Sequence, residues 1–162
     1  MADTMTKEQR HYVMSRIRGK DTRPEMLVRE YLHSKGFRYS LHRRNLPGSP
    51  DLVLRKYHTV IFVNGCFWHG HPGCEYATSP KTRPEYWAEK IRRNKERDAA
   101  DIELLNQKGW NVIVIWECEL KKKQREATLE RLEKQLRIQL EPESIAHITP
   151  SVRRLAMGNI SL

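Results

Sequence analysis

The chain has 162 residues, of which 38% are hydrophobic, and its 30 Lys and Arg against 20 Asp and Glu give a net charge of +10. This composition excludes a disordered chain, and no apolar run approaches the roughly 20 residues that cross a bilayer. We therefore expect a soluble intracellular protein with no membrane partner. The positive charge favours nucleic acid as a partner, although a merely basic surface is the alternative.

The first predicted helix covers residues 7–18 and is short and strongly basic. It starts near Thr6 and carries the apolar residues Val13, Met14 and Ile17. Because clustered Lys and Arg neutralise phosphates, we expect the basic N-terminal segment, residues 1–20, to contact nucleic acid.

Two further helices open on the same four residues, Thr-Arg-Pro-Glu, at positions 22–25 and 82–85. This pattern is typical of a capping box with proline in the first turn. The predicted helices cover residues 23–35 and 83–108, and each ends at a glycine. The first should bury an apolar face made of Met26, Leu27, Tyr31 and Leu32.

Alternating or apolar segments predict strands at residues 37–41, 52–54, 60–63 and 110–116. A last helix, residues 121–140, carries a stripe of leucines. This order of elements indicates an α/β fold with a central sheet flanked by helices. We expect one domain over residues 1–141 and a loosely ordered tail over residues 142–162.

Three cysteines and a histidine have the spacing of metal ligands. Cys66, His71 and Cys74 lie in one short loop after a strand, and Cys118 follows the last strand. If these strands are neighbours, the four side chains complete a tetrahedral Cys₃His zinc site of the structural kind. The alternative is a set of unrelated buried thiols with exposed histidines.

The same loop carries Phe67, Trp68 and His69. Exposed aromatic rings on a rigid loop of a basic protein suggest stacking on bases or wedging between them, and the alternative is packing beneath the loop. His69 has the chemistry of a general base or acid, although a lone histidine is more often incidental.

Asp51 stands at the mouth of the apolar strand 52–54. Asp is a poor strand former, so this position indicates either a turn or an ion. A carboxylate suits Mg²⁺, which takes one or two protein carboxylates and completes its shell with phosphate and water.

The long helix has one face that is polar in its middle. Positions three and four apart place these residues on one stripe: Trp87, Ile91, Asn94, Asp98, Asp101 and Leu105. Polar groups within a packing stripe are costly unless they are hydrogen-bonded or functional. A tilted stripe is the alternative, with Ile102 buried in place of Asp101 and with Asn94 and Asp98 paired to their neighbours.

Over roughly residues 10–140 the sequence closely resembles the very-short-patch-repair (Vsr) mismatch endonucleases. The matching residues, in order, are Met14, Arg16, Asp21, Thr22, Glu25, Leu46-Pro47-Gly48, Pro50-Asp51, Val60-Ile61-Phe62, Gly65-Cys66-Phe67-Trp68-His69, His71, Cys74, Trp87, Glu89-Lys90-Ile91, Asn94, Glu96-Arg97-Asp98, Asp101-Ile102, Gly109-Trp110 and Trp116-Glu117-Cys118. Each motif alone is weak, but the ordered set is specific.

The resemblance implies a restriction-endonuclease-like fold with a mixed sheet. It implies an enzyme that nicks duplex DNA on the 5′ side of the thymine of a T:G mismatch, the product of 5-methylcytosine deamination. It also implies a cytoplasmic, nucleoid-associated monomer of bacterial type that acts with downstream mismatch-repair proteins.

By the same resemblance, Asp51 and the backbone carbonyl of Val63 bind catalytic Mg²⁺. His69 is the catalytic base, oriented by Glu25, with Asn94 and Asp98 near the active site. The implied ligands of structural Zn²⁺ are Cys66, His71, Cys74 and Cys118. The implied DNA wedge consists of Phe67, Trp68 and Trp87, with Met14 on the minor-groove side. Glu85 matches no catalytic position and is expected to act as a cap.

Two departures stand out. Many enzymes of this fold carry Glu-x-Lys where this chain has Phe62-Val63-Asn64, which agrees with the Vsr pattern. Asn64 replaces a histidine that close relatives can have, so the role of that position is open.

Two other functions share these features: a zinc-stabilised DNA-binding module without nuclease activity, and an ordinary restriction endonuclease. The expected phosphate contacts are Arg10, Arg16, Arg18, Arg43, Arg44, Lys90, Arg92, Arg93, Lys95 and Arg97.

Overall fold

The computed structural model describes residues 5–140, and within them four strands form one sheet. The strands are β1 (Ser40–Leu41), β2 (Leu52–Leu54), β3 (Thr59–Asn64) and β4 (Asn111–Trp116). They lie in the order β1-β2-β3-β4; the first two pairings are antiparallel, and β3 and β4 are parallel. The predicted α/β fold with a mixed central sheet is confirmed.

The predicted helices are present with shifted ends. They are α1 (Lys7–Ser15), α2 (Arg23–Ser34), α3 (Pro84–Gln107) and α4 (Arg125–Ile138). Helix α4 begins later than predicted because residues 121–124 form a turn, closed by the Gln124 N–H on the Lys121 carbonyl at 2.9 Å, after a 3₁₀ turn over Glu117–Leu120. Leu129, Leu132 and Leu136 of its stripe are buried, whereas Leu140 is exposed.

Two cores lie on opposite faces of the sheet. Val28 and Leu32 of α2 pack with Leu132 and Leu136 of α4 against one face, which includes Ile61 of β3. On the other face, Leu105 of α3 packs with Val53 and Val60. Each buried aliphatic side chain contributes about 1.5–3 kcal/mol. The sheet is therefore the fixed middle layer from which the loops at the strand ends project.

The predicted apolar face of α2 is wrong at Met26, which is 38% exposed. Val28 is fully buried instead, while Leu27 and Tyr31 pack half-buried against the core. The helical period places residue 28 on the same side as Leu32, one turn further along, and turns residue 26 outward.

The second predicted capping box is also wrong. Thr22 caps α2, because its side chain accepts a hydrogen bond from the Glu25 backbone N–H. Before α3 the cap position is held by Arg83, which has a left-handed backbone (φ 55°) and makes no side-chain cap bond. Glu85 is exposed in the first turn, so the same four residues have different local structures.

The apolar side chains of the N-terminal segment point to solvent: Val13 is 44% exposed, Met14 37% and Ile17 47%. Among the described residues, no helix combines the length and the apolarity needed to cross a bilayer. The predicted tail, residues 142–162, lies outside the described residues.

Candidate functional site

Asp51 precedes β2 and is bound by the neighbouring strand. Its Oδ2 accepts a hydrogen bond from the Val63 N–H at 2.7 Å, so the side chain contacts β3 rather than capping its own turn. Burial is the main cause that raises the pKa of Asp51 to about 6; the Val63 hydrogen bond opposes this rise, and the nearby Glu25 carboxylate adds to it. A buried carboxylate of this kind gains from binding a cation.

His69 lies in the loop after β3 and is paired with Asp98 of α3. The distance from His69 Nδ1 to Asp98 Oδ2 is 2.6 Å, and the two side chains are 28% and 24% exposed. An ionised carboxylate can only accept, so the ring proton is on Nδ1 and the lone pair of the neutral ring is on Nε2. This is the tautomer that a general base requires.

A second polar residue of α3 holds the same loop. Asn94 Nδ2 donates to the backbone carbonyl of Trp68 at 2.9 Å. The polar middle of the α3 stripe is thus explained by bonds to a loop more than 20 residues earlier in the chain. A side chain at Gly70 (φ 59°) would place its Cβ 2.7 Å from Ile91 Cγ2, so glycine permits the close approach of loop and helix.

Glu25 is 3% exposed, and its bonding partners lie close to it in the sequence. It accepts hydrogen bonds from the Asp21 N–H at 3.1 Å, the Thr22 hydroxyl at 3.2 Å and Arg29 Nη2 at 2.8 Å. Within residues 5–140 the carboxylate beside His69 is that of Asp98. The structure therefore pairs His69 directly with Asp98, and the bonds of Glu25 go to residues of its own helix and cap.

Sequence reasoning missed Arg29 and His42. Arg29 Nη2 also lies 2.8 Å from His42 Nε2, and His42 Nδ1 lies 3.8 Å from Asp51 Oδ1. The spacing of Glu25 and Arg29, four apart on a helix, is a signal that could have found the arginine. No local sequence pattern distinguishes His42, because it is the antiparallel pairing of β1 and β2 that brings this residue close to Asp51.

These groups open into one cavity of about 740 Å³. Its polar lining includes Glu25, His42, Asp51, Asn64 and His69. Basic side chains from two other segments also line it: Arg18, Lys20 and Arg44. Carboxylate, imidazole and cationic groups in one open cavity suit a phosphate-bearing substrate and a divalent ion.

Two of the residues on α3 that were expected to contact phosphate are paired with acidic side chains of the same helix. Arg92 bonds to Glu89 and Glu96, and Arg93 bonds to Glu89 at 2.8 Å. These pairs lower the pKa of Glu89 to about 2. Arg92 and Arg93 are thus paired along their own helix, whereas Arg18, Lys20 and Arg44 line the cavity.

The four predicted zinc ligands do converge. One ligand atom each from Cys66, His71, Cys74 and Cys118 lies within 4.8 Å of the others, and His71 Nδ1 is 3.4 Å from Cys118 Sγ. The parallel register of β3 and β4 sets Asn64 opposite Trp116, so the loop after β3 meets the turn after β4. Thiolate and imidazole ligands at this separation fit a tetrahedral ion with Zn–S near 2.3 Å.

Three aromatic side chains form a cluster at the edge of this loop. Phe67, Trp68 and Trp87 contact one another edge-on, with ring centroids 5.1–5.9 Å apart. Lys90 Nζ lies 5.5 Å from the Trp68 ring and 5.3 Å from the Trp87 ring. All three rings are half-buried, so they pack on each other and still present apolar surface. Met14 lies on α1 and is exposed.

Comparisons with known proteins define the class and then the family. The chain is 46% identical to the Type II nicking enzyme V.XorIIP of Xanthomonas oryzae pv. oryzae over 142 residues, which cover 88% of this chain and 99% of that protein. It is 47% identical to the Type II nicking enzyme V.NmeAIP of Neisseria meningitidis over 123 residues, covering 76% and 87%.

It is also 42% identical to the DNA mismatch endonuclease Vsr of Escherichia coli over 136 residues, which cover 82% of this chain and 86% of that protein. The family profile described as DNA mismatch endonuclease Vsr matches residues 2–75. Two of these relatives are thus named as nicking enzymes and the third as a DNA mismatch endonuclease. The chain belongs to the family of Vsr DNA mismatch endonucleases, as its resemblance predicted.

Proposed function

We propose that the protein is a T:G mismatch-specific DNA endonuclease of restriction-endonuclease-like fold. It nicks one strand of duplex DNA on the 5′ side of the mismatched thymine that arises from 5-methylcytosine deamination. Family membership supports the activity. The observation that carries the proposal is that Asp51, which would bind the cation, and His69, which would act as the base, line the same cavity.

The chemistry of this cavity follows from its side chains. Asp98 holds the His69 proton on Nδ1, so His69 Nε2 accepts a proton from the attacking water. Asp51, fixed by the Val63 N–H, would hold Mg²⁺ together with the Val63 carbonyl. When bound, Mg²⁺ neutralises charge on the phosphate and on the leaving 3′-oxygen. Arg18, Lys20 and Arg44 attract the DNA backbone.

Mismatch recognition is assigned to the aromatic cluster. Phe67, Trp68 and Trp87 would enter the base stack beside the mismatch, with Met14 of α1 approaching from the minor groove. Unstacking costs a few kcal/mol and costs least at a mismatch, so a wedge selects T:G pairs. The protein is proposed to act as a monomer and to leave a nick for downstream repair proteins.

The cysteine and histidine cluster is proposed to hold structural Zn²⁺. Four protein ligands leave no open position for substrate, so the ion would rigidify the loop that carries Phe67, Trp68 and His69. Metal analysis of the purified protein should find one zinc per chain, and a metal-free preparation would refute this assignment.

One assay separates the proposal from its alternatives. Labelled T:G, T:A and C:G duplexes are incubated with the protein, with and without Mg²⁺. The proposal requires a single nick in the T:G duplex that depends on Mg²⁺. Asp51→Ala should lose nicking by at least about 10³-fold while binding the duplex as before.

The other outcomes have clear meanings. Binding without cleavage in any divalent metal would establish the DNA-binding module, and cleavage of both strands of matched DNA would establish an ordinary restriction enzyme. Cleavage by Asp51→Ala would show that Asp51 is not the metal ligand.

A further inference from the structure

The three consecutive lysines Lys121, Lys122 and Lys123 have no part in the proposed chemistry, yet they lie at the same end of the sheet as the cavity. They follow the 3₁₀ turn after β4 and precede α4, and all three are exposed. Because β3 and β4 are parallel, both strands end at this edge. The lysines therefore lie beside the loop that carries His69, and with part of that loop they line one depression.

A basic groove of about 400 Å³ lies between the first turn of α2 and these lysines. Its apolar wall includes Leu27 and Leu120. Four cationic side chains line it: Arg23, Lys121, Lys122 and Arg125. With the one carboxylate of the lining, that of Glu117, the four cations leave a net charge of 4 − 1 = +3. A concentration of positive charge in a groove attracts polyanions.

The basic groove adjoins the catalytic cavity. Pro24 and Glu117 line both of them, so the two openings share a wall. Successive phosphates of one DNA strand lie about 3.4 Å apart along the duplex axis. When one phosphate lies in the cavity, its neighbours must therefore contact the surface around it, and the basic groove is the cationic part of that surface next to α2.

The cations of the basic groove are available to bind an anion. Among residues 5–140, Arg23, Lys121, Lys122 and Arg125 form no ion pair with a carboxylate. Lys121 Nζ lies 4.1 Å from the centre of the Tyr76 ring, and Arg125 Nε donates to a backbone carbonyl at 3.0 Å. Both contacts orient a side chain without neutralising its charge, unlike the arginine–glutamate pairs of α3.

The basic groove and Trp87 of the aromatic cluster belong to opposite faces of the sheet. Trp87 lies on α3, which packs on the face of Val53 and Val60. Arg23 lies on α2 and Lys122 precedes α4, and both of these helices pack on the other face. In the proposed reaction, the mismatched thymine lies on the 3′ side of the cleaved phosphate. Aromatic rings that bind on that side leave the basic groove to the 5′ side.

We propose that the basic groove binds backbone phosphates of the DNA duplex on the 5′ side of the nick. Its cations would add affinity but no recognition of the mismatch, because phosphate contacts do not read bases. The inference rests on the proposed function, since it extends the path of the same duplex beyond the cavity.

The test measures binding of the full chain to fluorescein-labelled T:G and T:A duplexes by fluorescence anisotropy, in buffer without Mg²⁺. The groove variant is Lys121→Gln/Lys122→Gln. The matched control, Lys108→Gln/Lys134→Gln, loses the same charge from exposed lysines outside the cavity and the basic groove. All four lysines are exposed, so both variants should fold.

The groove variant should bind both duplexes about 10-fold more weakly, and its plot of log affinity against log salt concentration should be less steep by about 1 to 2. The control should stay within about twofold of the wild type. A loss of affinity confined to the T:G duplex would overturn the proposal, because it would mean that the lysines recognise the mismatch.

Shortened T:G duplexes locate the contact. A duplex with only a few base pairs on the 5′ side of the nick should bind the wild type and the groove variant equally, whereas a duplex shortened on the 3′ side should keep their difference. A difference that persists on the 5′-shortened duplex would overturn the proposal. Equal affinity and equal salt dependence on the full-length duplex would also overturn it, and would leave the basic groove to an acidic protein surface.

The wild type and the control are also assayed for T:G nicking with Mg²⁺. A wild type that nicks, together with a groove variant that binds normally, refutes the role of the basic groove alone. A wild type that does not nick, together with a groove variant that binds weakly as expected, refutes the proposed function alone.

Discussion

The loop after β3 contributes to two clusters that differ in chemistry and in openness. Cys66, His71 and Cys74 turn to one side, where Cys118 completes a set of soft ligands with no position left for substrate. His69 lies among them in sequence but faces an open cavity with Asp51 and hard oxygen ligands. Under the proposed function, the closed cluster would give rigidity and the open one reactivity, so that one loop would join a stable anchor to a reactive site.

The largest effect should come from the closed cluster. Cys118→Ser removes one of four ligands, and structural zinc sites contribute folding free energy directly. We expect loss of bound zinc, loss of nicking, and a fall in thermal midpoint of about 10 °C, which corresponds to roughly 3 kcal/mol for a chain of this size. Metal analysis and thermal unfolding monitored by circular dichroism measure these changes.

An exposed variant, Lys123→Ser, serves as the matched control and should keep zinc and midpoint. If Cys118→Ser kept both as well, the cluster would not be a metal site and the comparison between the two clusters would fail.

In the open cluster, loss of Asp98 should impair chemistry without affecting the fold. Asp98→Asn removes the carboxylate that holds the His69 proton on Nδ1, so the ring can adopt the wrong tautomer. We expect the nicking rate in single-turnover assays to fall by about 10²- to 10⁴-fold, with duplex affinity and zinc content unchanged. Glu103→Gln, on an exposed part of the same helix, should stay within about twofold. An Asp98→Asn enzyme that nicks at the wild-type rate would show that the Asp98 carboxylate does not control the tautomer of His69.

The pH dependence of stability should report the buried Asp51. Its pKa rises from 3.8 to about 6 in the folded protein, so the folded state binds more protons between these values and loses stability as pH rises through 6. In buffer without added Mg²⁺, Asp51→Asn should gain about 1 kcal/mol over the wild type between pH 5 and pH 7.5. Urea unfolding at the two pH values measures this gain. A stability difference that does not change with pH would mean that burial does not raise this pKa.

The smallest effect should come from Glu85, the counterpart of Glu25 in the second Thr-Arg-Pro-Glu segment. Glu85 is exposed and α3 has no side-chain cap bond, so Glu85→Gln should change the free energy of unfolding by less than about 0.5 kcal/mol and leave nicking unchanged. Glu25→Gln should be clearly destabilising by the same urea assay, because it weakens a buried bond to Arg29. If Glu85→Gln and Glu25→Gln changed the free energy of unfolding equally, the buried and the exposed glutamate would not differ as their surroundings predict.

The fold could be predicted largely from periodicity. Runs such as residues 60–63 and the leucines of α4 indicate buried strands and an amphipathic helix whatever their partners are. Their ends could not be predicted as well. Of the predicted segment 37–41, only Ser40–Leu41 pairs with β2, because the Phe37 N–H is bonded to the Leu32 carbonyl at the end of α2.

The candidate site could be predicted where its members lie close together in the chain. Cys66, His71 and Cys74 share one loop, and their spacing alone indicates metal ligands, whereas the role of His69 as a base is implied only by the family resemblance. The pairing of His69 with Asp98 could not be predicted in this way, because the two residues are 29 positions apart and local spacing does not identify so distant a partner.

The sequence by itself determined the class of fold, the ligand set of the cysteine cluster, the candidate base and the family. These depend on residue type and local spacing, both of which can be read directly from the sequence. Only the tertiary structure decided that Glu25 bonds to Arg29 and His69 to Asp98, and that His42 reaches Asp51. The physical reason is that a buried charged side chain bonds to the groups that packing brings within about 3 Å of it. Here the register of β1 on β2 and the orientation of α2 determine which groups those are.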